Sequence, residues 1–349
     1  MAAKLRVLIL GGTGETGEDV VNGLIEDGGY EVSVFTRPTS ASGTAVQSLR
    51  DRGINIVVGD IRAPVPELTT HLQNIDILIS ALGANAQNEQ YRWADAAKAA
   101  NIKRFIPCGF ISISPRGGIM MGRDEKELVH DHIFRLRVPF TIIDVGYWHS
   151  ISFPSLPSGR GDYAMWIPKT EINGDGNKPT LLTEKRDIGR YVARIIRDPR
   201  TLNKRVVTWS DEISQNDIWS LMERLSGETI PRVYIDDNET LKRRDEARVA
   251  YAEALKTGDP QSWAKRLGVI SAEYNYAKFV RGDNTLENAK YLGYLDAKEL
   301  YPDFKPMGLE EYLVRVLEGK ERRIEGDVGA VFAKRFSGEN AHRKEDAVH

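Results

Sequence analysis

The stretch LILGGTGETG over 8–17 constrains the fold more than any other part of this 349-residue chain. A short apolar run must turn sharply there into a helix, with Gly11, Gly14 and Gly17 at the turn, and Gly12, Gly14 and Gly17 also meet the tighter G-x-G-x-x-G spacing. Glycine suits such a turn because the backbone has to approach a pyrophosphate closely, the helix has to pack on the strand, and the first helical amides point at the anion. An isolated glycine pattern also fits a plain structural turn. Its place directly after a strand, at the head of a strand–helix series, favours a dinucleotide held by Gly11, Gly12, Thr13, Gly14, Glu15, Thr16 and Gly17.

The series is legible downstream. Compact apolar runs at 6–10, 31–36, 55–58, 76–80 and 104–107 read as strands, and 15–27 places Val20, Val21, Leu24 and Ile25 on one helical face. Residues 89–100 and 124–136 read as further helices, and 139–145 as a buried strand. This alternation predicts an α/β fold with a Rossmann-type doubly wound parallel sheet. Proline and glycine become frequent over 154–161, and helices are expected at 185–197, 215–226 and 236–256. The expected organisation is a nucleotide-binding domain over 1–153, a mostly helical substrate lobe over 154–319 with segments returning to the first, and a charged tail over 320–349 in which 328–332 is apolar enough to dock.

Charge selects the cofactor. An NAD-binding unit of this kind ends its second strand on an acidic residue that accepts from the ribose hydroxyl. Here Thr36 and Arg37 stand at that point, and a guanidinium pairs with the 2′-phosphate that a carboxylate would repel. NADPH/NADP+ is therefore the expected cofactor, against the reading of Arg37 as a solvated loop arginine, with Arg50 a weaker contributor to the same pocket. Asp60, after the third strand, is either an acceptor for the adenine amino group or a turn aspartate, while Ala81, Leu82 and Gly83 are small enough to let the cofactor cross the sheet edge.

Forty-eight basic residues against 50 acidic ones leave no charge field for a nucleic acid or an acidic membrane, so a small molecule is the default partner. The single cysteine, Cys108, cannot build a disulfide framework or a cysteine metal cluster, and no metal-ligand spacing stands out among six histidines. The apolar start is too short for a signal core or a span, which points to a cytoplasmic protein without a membrane partner. A homodimer is compatible with this reading.

At this point the chain resembles the isoflavone reductase, pinoresinol-lariciresinol reductase and phenylcoumaran benzylic ether reductase group, the isoflavone-reductase-like, NmrA-related branch of the short-chain dehydrogenases. The resemblance is carried by GGTGETG, ISALG from Ile79, NIKRFIPCGF from Asn101, DEKELVHDHIFRLRVPFT from Asp124, INGDGNKPTLLTEKRDIGRYV, DPRTLNKRVV and LYPDFKPMGLEEYL. These segments follow the group's order along nearly the whole chain. The resemblance implies a catalytic lysine at Lys126, a proton donor or acceptor beside the nicotinamide, with Cys108, Gly109, Phe110 and Lys126 against the cofactor. On composition alone, Lys126 in the run RDEKE would be a solvated helix face.

The chain also departs from the group. His130 stands where the plant enzymes usually carry an arginine, Cys108-Gly109-Phe110 replaces Ser-Glu-Phe, and Tyr276 falls where a histidine resembles a substrate ligand in the lignan reductases. The substrate pocket is expected from Phe110, Met121, His130, Trp148, His149, Phe153 and Tyr276, with Met120 and Tyr147 in the same aromatic cluster. The dehydrogenase signature of a tyrosine followed four residues later by a lysine occurs at Tyr274 with Lys278 and at Tyr301 with Lys305, and both pairs are assigned to structure. The expected activity is an NADPH-dependent reduction of a conjugated alkene, imine, quinone methide or carbonyl on a small aromatic or heterocyclic metabolite of fungal or microbial specialised metabolism. A redox sensor similar to NmrA, without turnover, and a redox-neutral enzyme are the alternatives.

Overall fold

The structure, a computed structural model, describes residues 3–323; the tail beyond, including 328–332, lies outside the described residues. Five parallel strands, β1 (Leu5–Leu10), β2 (Tyr30–Thr36), β3 (Asn55–Val58), β4 (Ile77–Ser80) and β5 (Arg104–Ile106), stand in the order β3-β2-β1-β4-β5. β6 (Thr141–Val145) continues the sheet beside β5 through a parallel bridge between Phe105 and Phe140. The chain then forms β7 (Tyr147–Trp148), β8 (Glu171–Asn173), β9 (Pro179–Thr183), β10 (Lys204–Thr208), β11 (Asp211–Ser214), β12 (Val233–Ile235) and β13 (Tyr294–Asp296). Of these, β10 pairs with β6 and β13 with β10, both parallel, so two strands of the second half extend the first half's sheet.

The two-residue period of the strands divides the interior. Val7, Ile9, Val32, Val34, Ile77 and Ile79 face one core, whereas Leu8, Leu10, Phe35 and Leu78 face another on the opposite side of the sheet. The central strands β1 and β4 bury apolar side chains on both faces, as a sheet sandwiched between helices requires.

The helices are α1 (Glu15–Asp27), α2 (Thr44–Asp51), α3 (Val65–His71), α4 (Gln90–Ala99), α5 (Met121–Leu136), α6 (Lys185–Ile195), α7 (Gln215–Ser226), α8 (Asp237–Thr257), α9 (Ser262–Asn275), α10 (Leu286–Tyr291), α11 (Ala297–Leu300) and α12 (Leu309–Leu317). Side-chain caps start several of them: Glu184 accepts from the Arg186 amide, Ser214 from Asp217 and Asp236 from Glu239. α1 and α6 cross in near-backbone contact. A Cβ on Gly189 would lie 1.8 Å from the Asp19 carbonyl oxygen, so only glycine permits this approach, which brings the start of α6 to the glycine turn.

α9 was absent from the expected elements. It packs on α8 and over α5, and ionic contacts tie it down: Arg266 to Glu125 at 2.6 Å and Arg248 to Glu273 at 2.7 Å. α8 itself buries only Thr240 and Ala254, which explains its charged sequence.

Candidate functional site

At the carboxyl ends of β1, β4, β5 and β6 a cavity of about 760 Å³ opens between the glycine turn and α9. Gly14, Glu15 and Thr16 border it on one side, with Ala81, Leu82 and Gly83 from the β4 loop and Cys108, Gly109 and Phe110 from the β5 loop. The turn is closed tightly. Gly11 has φ +77°, and a Cβ there would lie 2.6 Å from the Ala81 carbonyl oxygen; a Cβ on Gly17 would lie 2.0 Å from the Gly11 carbonyl oxygen. Gly14 caps α1 without any side-chain hydrogen bond, and a helix N-terminus of this kind suits an anion. These features fit a dinucleotide pyrophosphate.

Parallel pairing sets Leu10 beside Phe35, which brings Thr36 and Arg37 to the same sheet edge as Gly11. Arg37 is exposed there, and Arg50, also exposed, donates to the Ala41 carbonyl at 2.7 Å in the loop that follows. Asp60 accepts from the Arg62 amide at 2.9 Å, the geometry of a turn aspartate, and does not line the cavity.

Lys126, half-buried on the second turn of α5, extends its amine into this cavity. Nζ donates to the Cys108 carbonyl oxygen at 2.7 Å and to Gln87 Oε1 at 3.4 Å, with Cys108 Sγ also at 3.4 Å. Amides hold those acceptors in turn. Gln90 Nε2 donates to Gln87 Oε1 at 2.9 Å, Gln87 Nε2 to the Leu82 carbonyl at 2.5 Å, and the Cys108 amide to Gln90 Oε1 at 2.8 Å. One relay thus fixes the β4 loop, the β5 loop and the lysine.

The glycine turn carries a second charge. Glu15 is ion-paired with Lys185 at the start of α6, and the Lys185 ammonium lies over the rings of Trp148 at 5.2 Å and Trp166 at 5.4 Å. Both indoles line the cavity. The remaining wall is mainly apolar, from Ile111, Met120, Tyr147, Ile151, Ile167 and, on α9, Trp263, Leu267, Ile270 and Tyr274.

Several expected pocket residues lie elsewhere. His130 is 1% exposed with Nδ1 3.5 Å from Glu127, because α5 meets the cavity only through its first two turns, at Gly122, Glu125 and Lys126. Burial, outweighing the pull of Glu127, lowers its pKa, so it is a neutral core histidine. His149 is buried with Nε2 2.9 Å from Ser210 Oγ, and Phe153 is fully buried against Tyr312. Met121 gives its amide to Glu273 at 2.7 Å while Met120 takes the wall position. Tyr276 packs under the Arg244 guanidinium, 4.2 Å from its ring centroid.

Conversely, Tyr274, assigned to structure from sequence, faces the cavity, as do Gln87, Trp166, Trp263 and Arg266, which sequence reasoning passed over. The signal for the α9 wall was present: Trp263, Leu267, Ile270 and Tyr274 recur at helical spacing. Among the described residues no group of three His, Cys, Asp or Glu side chains converges as a metal site, and no helix is long and apolar enough to cross a membrane.

Comparison with known proteins agrees with this architecture. The NmrA-like family profile matches residues 3–313. A curated relative from Aspergillus novofumigatus, asnovolin J 5′,6′-dehydrogenase, is 41% identical over 320 residues, covering 90% of this chain and 96% of the relative. Phenylcoumaran benzylic ether reductase of Pyrus communis is 29% identical, covering 90% of this chain and 99% of its own. Among solved structures, the binary complex of leucoanthocyanidin reductase with NADPH from Vitis vinifera superposes with a TM-score of 0.74 at 24% identity, covering 90% and 99% of the two chains.

Proposed function

The chain belongs to the NmrA-like family, and on that premise we propose that it is an NADP(H)-dependent oxidoreductase acting on a conjugated carbon centre of a bulky, mainly apolar metabolite. The observation that carries this reading is the Lys126 amine held at 2.7 Å from the Cys108 carbonyl, inside the cavity that begins at the glycine turn. Bound there, the nicotinamide would supply or accept a hydride. The chain's own part is to bind, orient and exclude water. Amides at the start of α1 and Arg37 would hold the phosphates, and the tryptophan- and tyrosine-rich wall would enclose flat substrate rings.

Lys126 is the proton-handling group in this proposal. Of its three N–H bonds only one meets a short acceptor, the Cys108 carbonyl at 2.7 Å, and the contacts to Gln87 Oε1 and the Cys108 thiol are both long at 3.4 Å, so the ammonium can exchange one of these for substrate. The volume of about 760 Å³ lies in the upper part of the range for small-molecule sites, room for substrate beside the nicotinamide. The 41% relative is named a dehydrogenase and the 29% relative a reductase. The proposal therefore covers one carbon centre worked in either direction, with the bound cofactor's oxidation state setting which.

The test is a screen of conjugated ketones, alkenes and quinone methides for NADPH consumption, and of their saturated forms for NADP+ reduction, by wild type and Lys126→Ala. Turnover that falls on the order of 100-fold in the variant while NADPH affinity holds is the expected result. Unchanged turnover in the variant would remove Lys126 from the chemistry. Absence of turnover with every compound, with tight NADPH binding retained, would favour a sensor.

A further inference from the structure

The wall shared by β7 and α9 holds a group of side chains to which the reading above gives shape but no chemistry. Tyr147 and Tyr274 both line the cavity, with ring centroids 5.3 Å apart and planes tilted by 50°. Neither hydroxyl is hydrogen-bonded to another described residue. Over the Tyr147 ring lies Lys278, its Nζ 3.0 Å from the ring centroid, 4.5 Å from that of Phe279 and 5.9 Å from that of Tyr274. Lys278 is 1% exposed and its amine has no hydrogen-bond partner. A buried amine without an acceptor is costly, so its placement calls for an explanation.

Local backbone produces this placement. After α9 the chain continues as a π-helical stretch, Tyr276–Arg281, which turns Lys278 inward beneath Tyr147. The titratable groups facing the amine are Tyr147, Tyr274 and Lys169, and no carboxylate figures among the charges acting on it. Burial and the repulsion of Lys169 lower the Lys278 pKa well below its ordinary value, and burial brings Lys169 down to about 8. Burial moves both phenols the other way, so each keeps its proton and presents an O–H donor to the cavity.

Two O–H donors on one patch of a mainly apolar wall, backed by an amine, match an acceptor on which negative charge develops. Resting on the oxidoreductase reading above, we infer that Tyr147 and Tyr274 bind the oxygen of a ketone conjugated to the reacting carbon–carbon bond, with Lys278 positioning Tyr147, so the substrate class is an α,β-unsaturated ketone or its saturated counterpart. In the reducing direction the β-carbon gains a C–H bond with the hydride's electron pair. The C=C pair moves to the bond between the α-carbon and the carbonyl carbon, and the C=O pair moves onto oxygen. The two phenols hold that enolate; a proton from Lys126, replaced from solvent, then bonds to the α-carbon and the C=O bond re-forms. Desaturation runs the same atoms backwards: a proton leaves the α-carbon and a hydride leaves the β-carbon. Tyr147 and Tyr274 are catalytic residues in this scheme, and Lys278 acts through Tyr147.

A phenolate imitates the enolate, and 4-nitrophenol reports its own ionisation by its absorption. The experiment adds 4-nitrophenol to the full-length protein, with and without NADP+, below the pH at which the free phenol ionises. The expected spectrum of the bound ligand is that of the phenolate. Tyr147→Phe and Tyr274→Phe are each expected to lower the bound phenolate-to-phenol ratio about ten-fold, and the double variant to bind only the neutral form. Lys278→Met, which removes a buried unpaired amine and is expected to fold at least as well as wild type, should shift the ratio the same way. A merely structural lysine would leave that ratio unmoved.

A bound ligand that stays neutral in wild type, Phe variants that leave the spectrum unchanged, or failure of 4-nitrophenol to bind at millimolar concentration would each overturn the inference. NADPH affinity, followed in the same samples, separates the two readings. Loss of nucleotide binding with a phenolate spectrum retained would sink the oxidoreductase assignment and leave the oxyanion site standing.

Discussion

Lys126 donates to the backbone carbonyl of Cys108 at 2.7 Å, a contact that joins the second turn of α5 to the loop after β5. The carbonyl fixes where the amine stands, and Gln87, itself held by Gln90, fixes its direction. Replacing Gln87 by leucine keeps the lysine but removes its side-chain acceptor. The expected outcome is unchanged NADPH affinity with turnover lowered roughly 10-fold, the cost of a misoriented group. Steady-state kinetics beside a nucleotide titration would check it.

The pair of Glu15 and Lys185 supports a charge cycle. Glu15 sits at the start of α1, where a pyrophosphate is expected, and Lys185 neutralises it there. Lys185→Met leaves the carboxylate facing the phosphates, so NADPH affinity should fall about 10-fold, or one factor of 1.4 kcal/mol. Glu15→Gln alone should change affinity little, and the double variant should recover it. A double variant as weak as Lys185→Met would show that the lysine acts by some means other than neutralising Glu15.

Beneath α5 the fully buried Arg123 guanidinium donates to Asp144 at 2.9 Å and to the Ser112 carbonyl at 2.8 Å, while Asp144 also accepts from Tyr294 at 2.5 Å. Truncating Asp144 to alanine strands a buried cation. Stability should drop by about 3–5 kcal/mol, read as a lower midpoint in urea unfolding. A loss below about 1 kcal/mol would mean that Glu127, 3.3 Å from the same guanidinium, suffices as its counter-ion.

The contact-rich crossing of α1 and α6 buries Asp19 with its Oδ2 unpaired. Burial, aided by Glu184 and Glu18, pushes its pKa up to about 7. An unfolded aspartate ionises near 3.9, so between about pH 4 and 7 the folded chain retains a proton that the unfolded chain has released. Stability from this group therefore falls as pH rises through that window and stays low above it. Asp19→Asn should flatten the profile and gain about 1–3 kcal/mol near pH 8. Urea unfolding near pH 5 and pH 8 measures both.

What the sequence disclosed was what local physics decides. The glycine turn was readable because no other residue tolerates the Gly11 conformation or the Gly17 approach, and the early strands because their apolar runs are short and branched. Pocket membership was not local. His130 and His149 are the residue types chemistry favours, yet type does not tell which end of α5 meets a cavity or that His149 turns toward Ser210. Tyr274 shows the converse: its tyrosine–lysine spacing looked accidental because the helix that carries it to the site comes more than 100 residues after β6. Long-range packing places it, and a single sequence does not write that packing down.

The central claim is an occupied NADP(H) site at the glycine turn, and the most direct measurement is a fluorescence titration of wild type and Arg37→Ala with NADPH and NADH. The account predicts that wild type prefers NADPH by at least roughly 10-fold and that Arg37→Ala loses the preference while still binding NADH, as removal of a phosphate-pairing guanidinium requires. Equal affinity of wild type for the two nucleotides, or binding of neither, would contradict it.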